Sequence, residues 1–337
     1  MNEIKYFGVF DSPYCLLIYL LAFTDQIDET CFFVSDGINK SIVDNLPFFH
    51  YYPTMQKNKH NSYFLKKITE LLSMLKLNLK LKKIIKKYKK EDITVFGQDH
   101  ITGGNFFVSR YTFNLIEDGL ANYTEVSNGE AIGIFYKIAY KIFNIRKTFG
   151  LDDNVKSIYL TGLAPIPKCI QSKVHLIDLN EKWRNKTIDK KKKILEIFNF
   201  NPEILSKIQS FDSLLLTQPL SEDGLMSEIE KVELYRELLS NIDQNNLVIK
   251  VHPREKTDYK MYFPNSYILS NPFPVELLHF TGIRFKKVIT LFSTAANDYL
   301  DSENELIFAG TECHEALLKN FGVIRYNEKS KKIEKIG

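Results

Sequence analysis

The stretch Leu247-Val248-Ile249-Lys250-Val251-His252-Pro253-Arg254 decides how the rest of the chain is read. Leu247 to Val251 suits a short buried strand, and a residue before proline is driven to extended geometry, so His252 falls at the strand's carboxyl end. A second run, Val288-Ile289-Thr290-Leu291-Phe292, ends in the same way on Ser293-Thr294-Ala295-Ala296-Asn297-Asp298, with the hydroxyl pair placed where a helix would start. Between them lies Pro272-Phe273-Pro274-Val275-Glu276. Strands that end on polar groups mark an open α/β sheet, whose ligands bind outside the carboxyl ends of the strands. Hydroxyls and free N–H groups at a helix start suit a phosphate. Singly, a His-Pro is a loop and a Ser-Thr an N-cap. Their ordered combination is the informative feature.

At 337 residues the chain exceeds a usual single domain and divides most simply into two α/β domains, 1–205 and 206–337, with a linker around Phe200 to Ser210. Apolar residues make up 44% of it, enough for sizeable cores, and a net charge of +4 announces no nucleic-acid partner. Cys15, Cys31, Cys169 and Cys313 stand far apart with no CxxC or Cys/His cluster. Neither zinc nor a disulfide framework is indicated, and a reducing cytoplasm fits. No Asp-x-Asp metal motif occurs in the sequence, and Asp152-Asp153 reads as a loop.

In the first domain Tyr6 to Phe10, Cys31 to Val34, Ile93 to Phe96, Phe113 to Ile116, Ser157 to Leu160 and Val174 to Leu176 read as strands. Tyr14 to Phe23 is apolar, but a bilayer span needs ~20 such residues, and the charged flank and cleavage site of a signal peptide are missing. It reads as a buried helix. From Lys66 to Lys90, leucines and isoleucines recur at helical spacing among ten lysines, with Glu70 the only acid. Two readings stand together: the solvated face of a core-packed helix, and a docking surface that would make a cytoplasmic protein peripheral to an anionic membrane. Nucleic acid is disfavoured, because no motif for it accompanies the lysines. Glu91 and Asp92 close this helix, and another is expected over 131–147.

Phe113 to Ile116 delivers Glu117-Asp118-Gly119 at its end. Adjacent acids before glycine form a turn with solvated carboxylates, or hold a general base for an attacking hydroxyl. A second such triplet, Glu222-Asp223-Gly224, follows the strand Ser213 to Thr217 at the start of the second domain. His100, in Gly97-Gln98-Asp99-His100, reads as a structural or acceptor-side residue rather than a catalyst.

The order Glu117-Asp118-Gly119, His252-Pro253, Pro274-Val275-Glu276, Ser293-Thr294 resembles the bacterial sialyltransferases of the GT-B type, and in particular glycosyltransferase family 52, the lipooligosaccharide and capsule sialyltransferases. The resemblance spans about Val95 to Ala309. It implies a GT-B fold, two Rossmann-like domains facing across a cleft, the second holding the donor. It also implies inverting, metal-independent transfer of sialic acid from CMP-sialic acid to a terminal galactose of a cell-surface glycan, with no further cofactor. His252, Ser293 and Thr294 would stabilise the leaving phosphate, Glu276 would accept from the ribose hydroxyls, and Lys250 and Pro253 would complete the donor site. The base is Asp118 or Asp223. The acceptor belongs to the first domain in such a fold, which favours Asp118. A GT-B enzyme with another sugar-nucleotide donor and a non-catalytic glycan- or nucleotide-binding protein are the alternatives. Linkage, exact acceptor and a homodimer are left open.

Overall fold

The apolar runs form parallel strands, and their near-continuous hydrophobicity follows from burial on both faces. The computed structural model describes residues 3–53, 63–88, 93–123, 146–299, 304–328 and 332–336. The chain divides into two units, Met1–Ile194 and Leu195–Gly337. The stretch expected as a linker is mostly the helix Pro202–Ile208, which Asn201 caps.

The first unit holds a parallel sheet of β1 (Tyr6–Phe10), β2 (Thr30–Val34), β3 (Phe49–Tyr51), β4 (Thr94–Gly97), β5 (Thr112–Ile116), β6 (Val155–Leu160) and β7 (Val174–Leu176). Their spatial order is β3-β2-β1-β4-β5-β6-β7. The chain runs outward from β1 to β3, then returns to lay β4 against β1. That reversal opens a crevice at the carboxyl ends of β1 and β4. At this junction Gly97 has φ +142°, and a Cβ there would lie 2.0 Å from the Val9 carbonyl oxygen. Only glycine lets the two strands meet so closely. The apolar segment after β1 is the helix Pro13–Ala22, with Ser12 capping it by accepting from the Cys15 N–H and Cys15 through Leu21 all buried. The expectation of a buried helix holds. On the sheet's other face Phe7, Phe33, Val95, Phe107 and Phe113 form the core, and Leu81 and Ile85 of the helix Tyr63–Ile85 pack into it.

The second unit repeats the scheme with β8 (Ser213–Leu216), β9 (Leu247–Lys250), β10 (Tyr267–Leu269), β11 (Lys287–Thr290) and β12 (Glu305–Phe308). All are parallel, in the order β10-β9-β8-β11-β12, so the reversal lies between β8 and β11. An antiparallel hairpin, β13 (Val323–Asn327) with β14 (Lys332–Ile336), follows. The helix Glu228–Leu238 opens with a capping box formed by Ser227 and Glu230. After β11, Thr294–Tyr299 forms a 3₁₀ helix rather than the start of an α-helix. Among the described residues no helix is long and apolar enough to cross a membrane. The acids Glu91 and Asp92, and all but the end of the helix expected over 131–147, lie outside the described residues.

Candidate active site

In the first unit the polar residues after β1, β4, β5 and β6 converge. Glu117 and Asp118 leave β5 side by side but do different work. Glu117 is fully buried. It accepts from the Tyr14 hydroxyl at 3.0 Å, the Thr161 hydroxyl at 2.7 Å, the Thr161 N–H at 2.6 Å, and the Tyr123 hydroxyl. Burial raises its pKa even against these donors. Its capacity is spent on joining β5, β6 and the helix after β1.

Asp118 keeps its side chain 22% exposed. Oδ1 accepts from the Ser12 hydroxyl at 2.6 Å, and Oδ2 lies 3.2 Å from His100 Nε2. Its own N–H donates to Asn122 Oδ1 at 2.6 Å, which fixes the turn before Gly119. Burial pulls the His100 pKa down, but Asp118 and then Asp99 more than offset it, and it stands at about 9. His100 is therefore an imidazolium at neutral pH, stacked at 4.7 Å on Phe149. Asp99 in turn accepts from the N–H groups of Phe149 and Gly150 at 2.9 and 2.8 Å. Phe149 is held at φ +55°, a left-handed conformation rare for its type, and such strain gathers at functional sites. A carboxylate oxygen offers two lone pairs, so Asp118 retains capacity to take a proton.

In the second unit β9 delivers His252 to the carboxyl edge of the sheet as its sequence implies. The His252 N–H donates to Thr217 Oγ1 at 3.1 Å and Glu255 Oε2 at 3.0 Å, and the ring Nδ1 accepts from the Arg254 N–H at 3.2 Å. That bond leaves the ring proton on Nε2. Burial first, then the charges of Arg254 and Lys250, push its pKa down to about 4, so the ring is neutral. A bound phosphate would reverse the sign of this field. Beneath it lies an ionic cluster: fully buried Lys231 donates to Glu222 at 3.0 Å and Glu255 at 3.1 Å. Glu255 also accepts from the Tyr259 hydroxyl at 2.6 Å. The cluster ties the loop after β8 to the loop after β9.

Asp223 is exposed and gripped by Arg254 through two bonds of 2.6 and 3.0 Å. Pro253 is exposed in the turn that His252 O and Glu255 N close at 2.9 Å. Lys250 turns away into the protein, where Nζ donates to the carbonyls of Val251 at 3.2 Å and Asn271 at 2.8 Å. Burial lowers its pKa to about 8, opposed by the charges of Glu276 and Glu255. Glu276 is buried in the first turn of the helix Glu276–Phe280. Ser293 and Thr294 are half-buried after β11, where the Phe292 N–H donates to Gln218 Oε1 at 3.1 Å across the β8/β11 reversal. Among the described residues no group of three or more His, Cys, Asp or Glu side chains is arranged to hold a metal ion.

The profile of glycosyltransferase family 52 matches residues 37–312. The chain belongs to glycosyltransferase family 52. A Haemophilus influenzae protein described only as uncharacterized is 36% identical over 324 residues, 96% of this chain and 99% of its own. Among solved structures, a 2,6-sialyltransferase of Vibrionaceae Photobacterium sp. JT-ISH-224, in complex with the donor product CMP and the acceptor substrate lactose, matches with a TM-score of 0.55 at 12% identity. The match covers 90% of this chain and 71% of that one. The GT-B domain of a Photobacterium damselae sialyltransferase matches at 0.52 and 13% identity, covering 90% of both chains. These likenesses show the fold, and the family 52 chain is a GT-B protein of α/β units with parallel sheets.

Within this family 52 enzyme, the second unit places His252 after β9, Asp223 in the loop after β8 and Ser293 and Thr294 after β11, while Lys250 at the end of β9 and Glu276 in the helix after β10 lie buried. The first unit adds what sequence reasoning set aside or passed over: His100, Ser12 and Asp99 around Asp118. Their one signal was that each stands just after a strand. In the second unit Lys231, Glu255 and Gln218 were missed, since nothing local to them marks a site.

Proposed function

We propose that this family 52 glycosyltransferase moves sialic acid from CMP-sialic acid to a galactose hydroxyl of a cell-surface glycan, with inversion and without a metal. The observation that carries the reading is Asp118: of the two acids in its triplet it alone is left accessible, positioned by His100 and Ser12. As the new C–O bond forms, the attacking hydroxyl becomes acidic, and Asp118 accepts its proton. One displacement at the sugar carbon breaks the bond to phosphate and inverts configuration. His252 donates from Nε2 to the departing phosphate oxygen, whose charge draws the imidazole toward its protonated form. Ser293 and Thr294 add hydroxyls to the phosphate, and Glu276 receives the ribose. Asp223, occupied by Arg254, steadies the loop beside His252 instead of serving as base.

The CMP and lactose bound by the Photobacterium enzyme support the choice of donor and acceptor. The test is turnover of CMP-sialic acid by the purified chain with lactose and other galactosides, with and without a chelator, alongside competition by CMP against UDP. Sialyl-galactoside formation, inhibited by CMP and indifferent to chelation, is expected. Turnover of a UDP-sugar with no response to CMP would assign another donor.

A further inference from the structure

The helix Tyr63–Ile85 carries two apolar faces where a surface helix has one. Its inner face, Leu77, Leu81, Ile84 and Ile85, packs into the first unit's core. At 3.6 residues per turn, Leu72, Leu75 and Leu79 fall on the opposite side. They are 52%, 40% and 69% exposed. Around them stand Lys76, Lys80, Lys82, Lys83 and Lys86, all exposed. No acid occurs from residue 71 to residue 88. A helix whose outer face meets only water sets acids against its lysines and polar residues at the outermost positions. This face does neither.

We infer that this outer face docks on an anionic lipid bilayer. The leucines enter the boundary between headgroups and acyl chains, and the lysines bend their stems outward to reach the lipid phosphates. The two residue types together select the occupant. A nucleic acid would attract the lysines and leave three leucines in water. A second copy of the same face would bring lysines against lysines with no acid between them. An uncharged bilayer would leave the lysines unrewarded. The inference stands apart from donor and acceptor chemistry, because its readout is binding rather than transfer.

The test is flotation of the full chain with vesicles of equal parts phosphatidylglycerol and phosphatidylcholine, against phosphatidylcholine alone, at low and high salt. The wild type should partition into anionic vesicles at least ~10-fold better than into neutral ones. Leu72→Ser, Leu75→Ser and Leu79→Ser together should lower that partition by ~10-fold or more. Replacing Lys76, Lys80 and Lys83 with Gln should do the same and flatten the salt response. All six side chains are exposed, so both variants should melt with the wild type; if the leucine variant melts early, Leu79→Ser alone should still weaken binding. Equal partition into both vesicles overturns the proposal, as does undiminished binding of the leucine variants. A wild-type dimer that the leucine substitutions split would assign the face to a second copy and also overturn it.

Discussion

Asp118→Asn tests the candidate base in the first unit through its effect on His100. Burial favours a neutral imidazole there, yet Asp118, with Asp99 behind it, holds the ring at about 9 against an ordinary 6.5. At 1.36 kcal/mol for each tenfold change in proton affinity, that elevation corresponds to roughly 3 kcal/mol of stabilisation, net of burial. His100 binds its proton more tightly in the folded chain. The stabilisation is therefore full below about pH 6.5, declines as pH rises, and is gone once pH passes about 9. With Asn at 118 only Asp99 opposes the burial, so His100 should titrate well below 9 and toward 6.5. The stability gap between wild type and variant should be widest near pH ~6 and close by pH ~10. The imidazole can be followed by NMR, assigned with His100→Gln, and the gap by urea denaturation across that range. Sialyl transfer should fall by ~10²-fold or more, the usual scale of a lost general base, with CMP affinity unchanged. An imidazole still titrating near 9 in Asp118→Asn would refute the pairing, and so would a gap indifferent to pH. Normal transfer would remove Asp118 from the chemistry.

Asp223→Asn breaks an exposed pair with Arg254, so denaturation should show a loss of no more than ~1 kcal/mol, and transfer should suffer less than in Asp118→Asn. His252→Ala should lower turnover by ~10²-fold or more with little change in acceptor affinity. In the wild type, adding CMP should lift the His252 titration above its resting value of about 4, a shift visible by NMR. Lys231→Met leaves half-buried Glu222 and the buried carboxylate of Glu255 without their cation and should cost ~3–5 kcal/mol at neutral pH in chemical denaturation. Hydrogen bonds and the Lys231 charge depress the Glu222 pKa below its ordinary 4.5 despite burial. Its share of stability is present above that value and lost on acidification, so the penalty of Lys231→Met should shrink as pH falls through the glutamate range.

The strands β9 and β11 were legible because both faces of the sheet are covered, which writes each as an unbroken apolar run. β3 and β10, Phe49–Tyr51 and Tyr267–Leu269, were not. These strands form because β2 and β9 present backbone to pair with. The hydroxyl pair Ser293-Thr294 signalled a helix start correctly but not its kind, since side-chain caps serve a 3₁₀ turn as well as an α-helix. The triplet Glu117-Asp118-Gly119 was visible as a string; the split between its acids depends on Tyr14, Tyr123 and Thr161, which arrive from three other segments. His100 was ambiguous for the same reason. A histidine after a strand acquires a role only when the fold sets Asp118 beside it.

Glu117 and Asp118 are neighbours in the chain, but they belong to different classes of mutational tolerance. In a saturation library, almost any change at 117 strands four donors in the interior, so its variants should vanish from the pool of folded protein. At 118 the pool should thin only by what the His100 pair contributes, while product disappears. Gly119 falls between them: at φ +87° a side chain meets no atom within 4 Å, so its penalty comes from the backbone alone. A growth selection would score the three positions alike. Counting abundance and activity separately would pull them apart, and directed evolution toward a new acceptor should vary the surroundings of Asp118 while leaving Glu117 untouched.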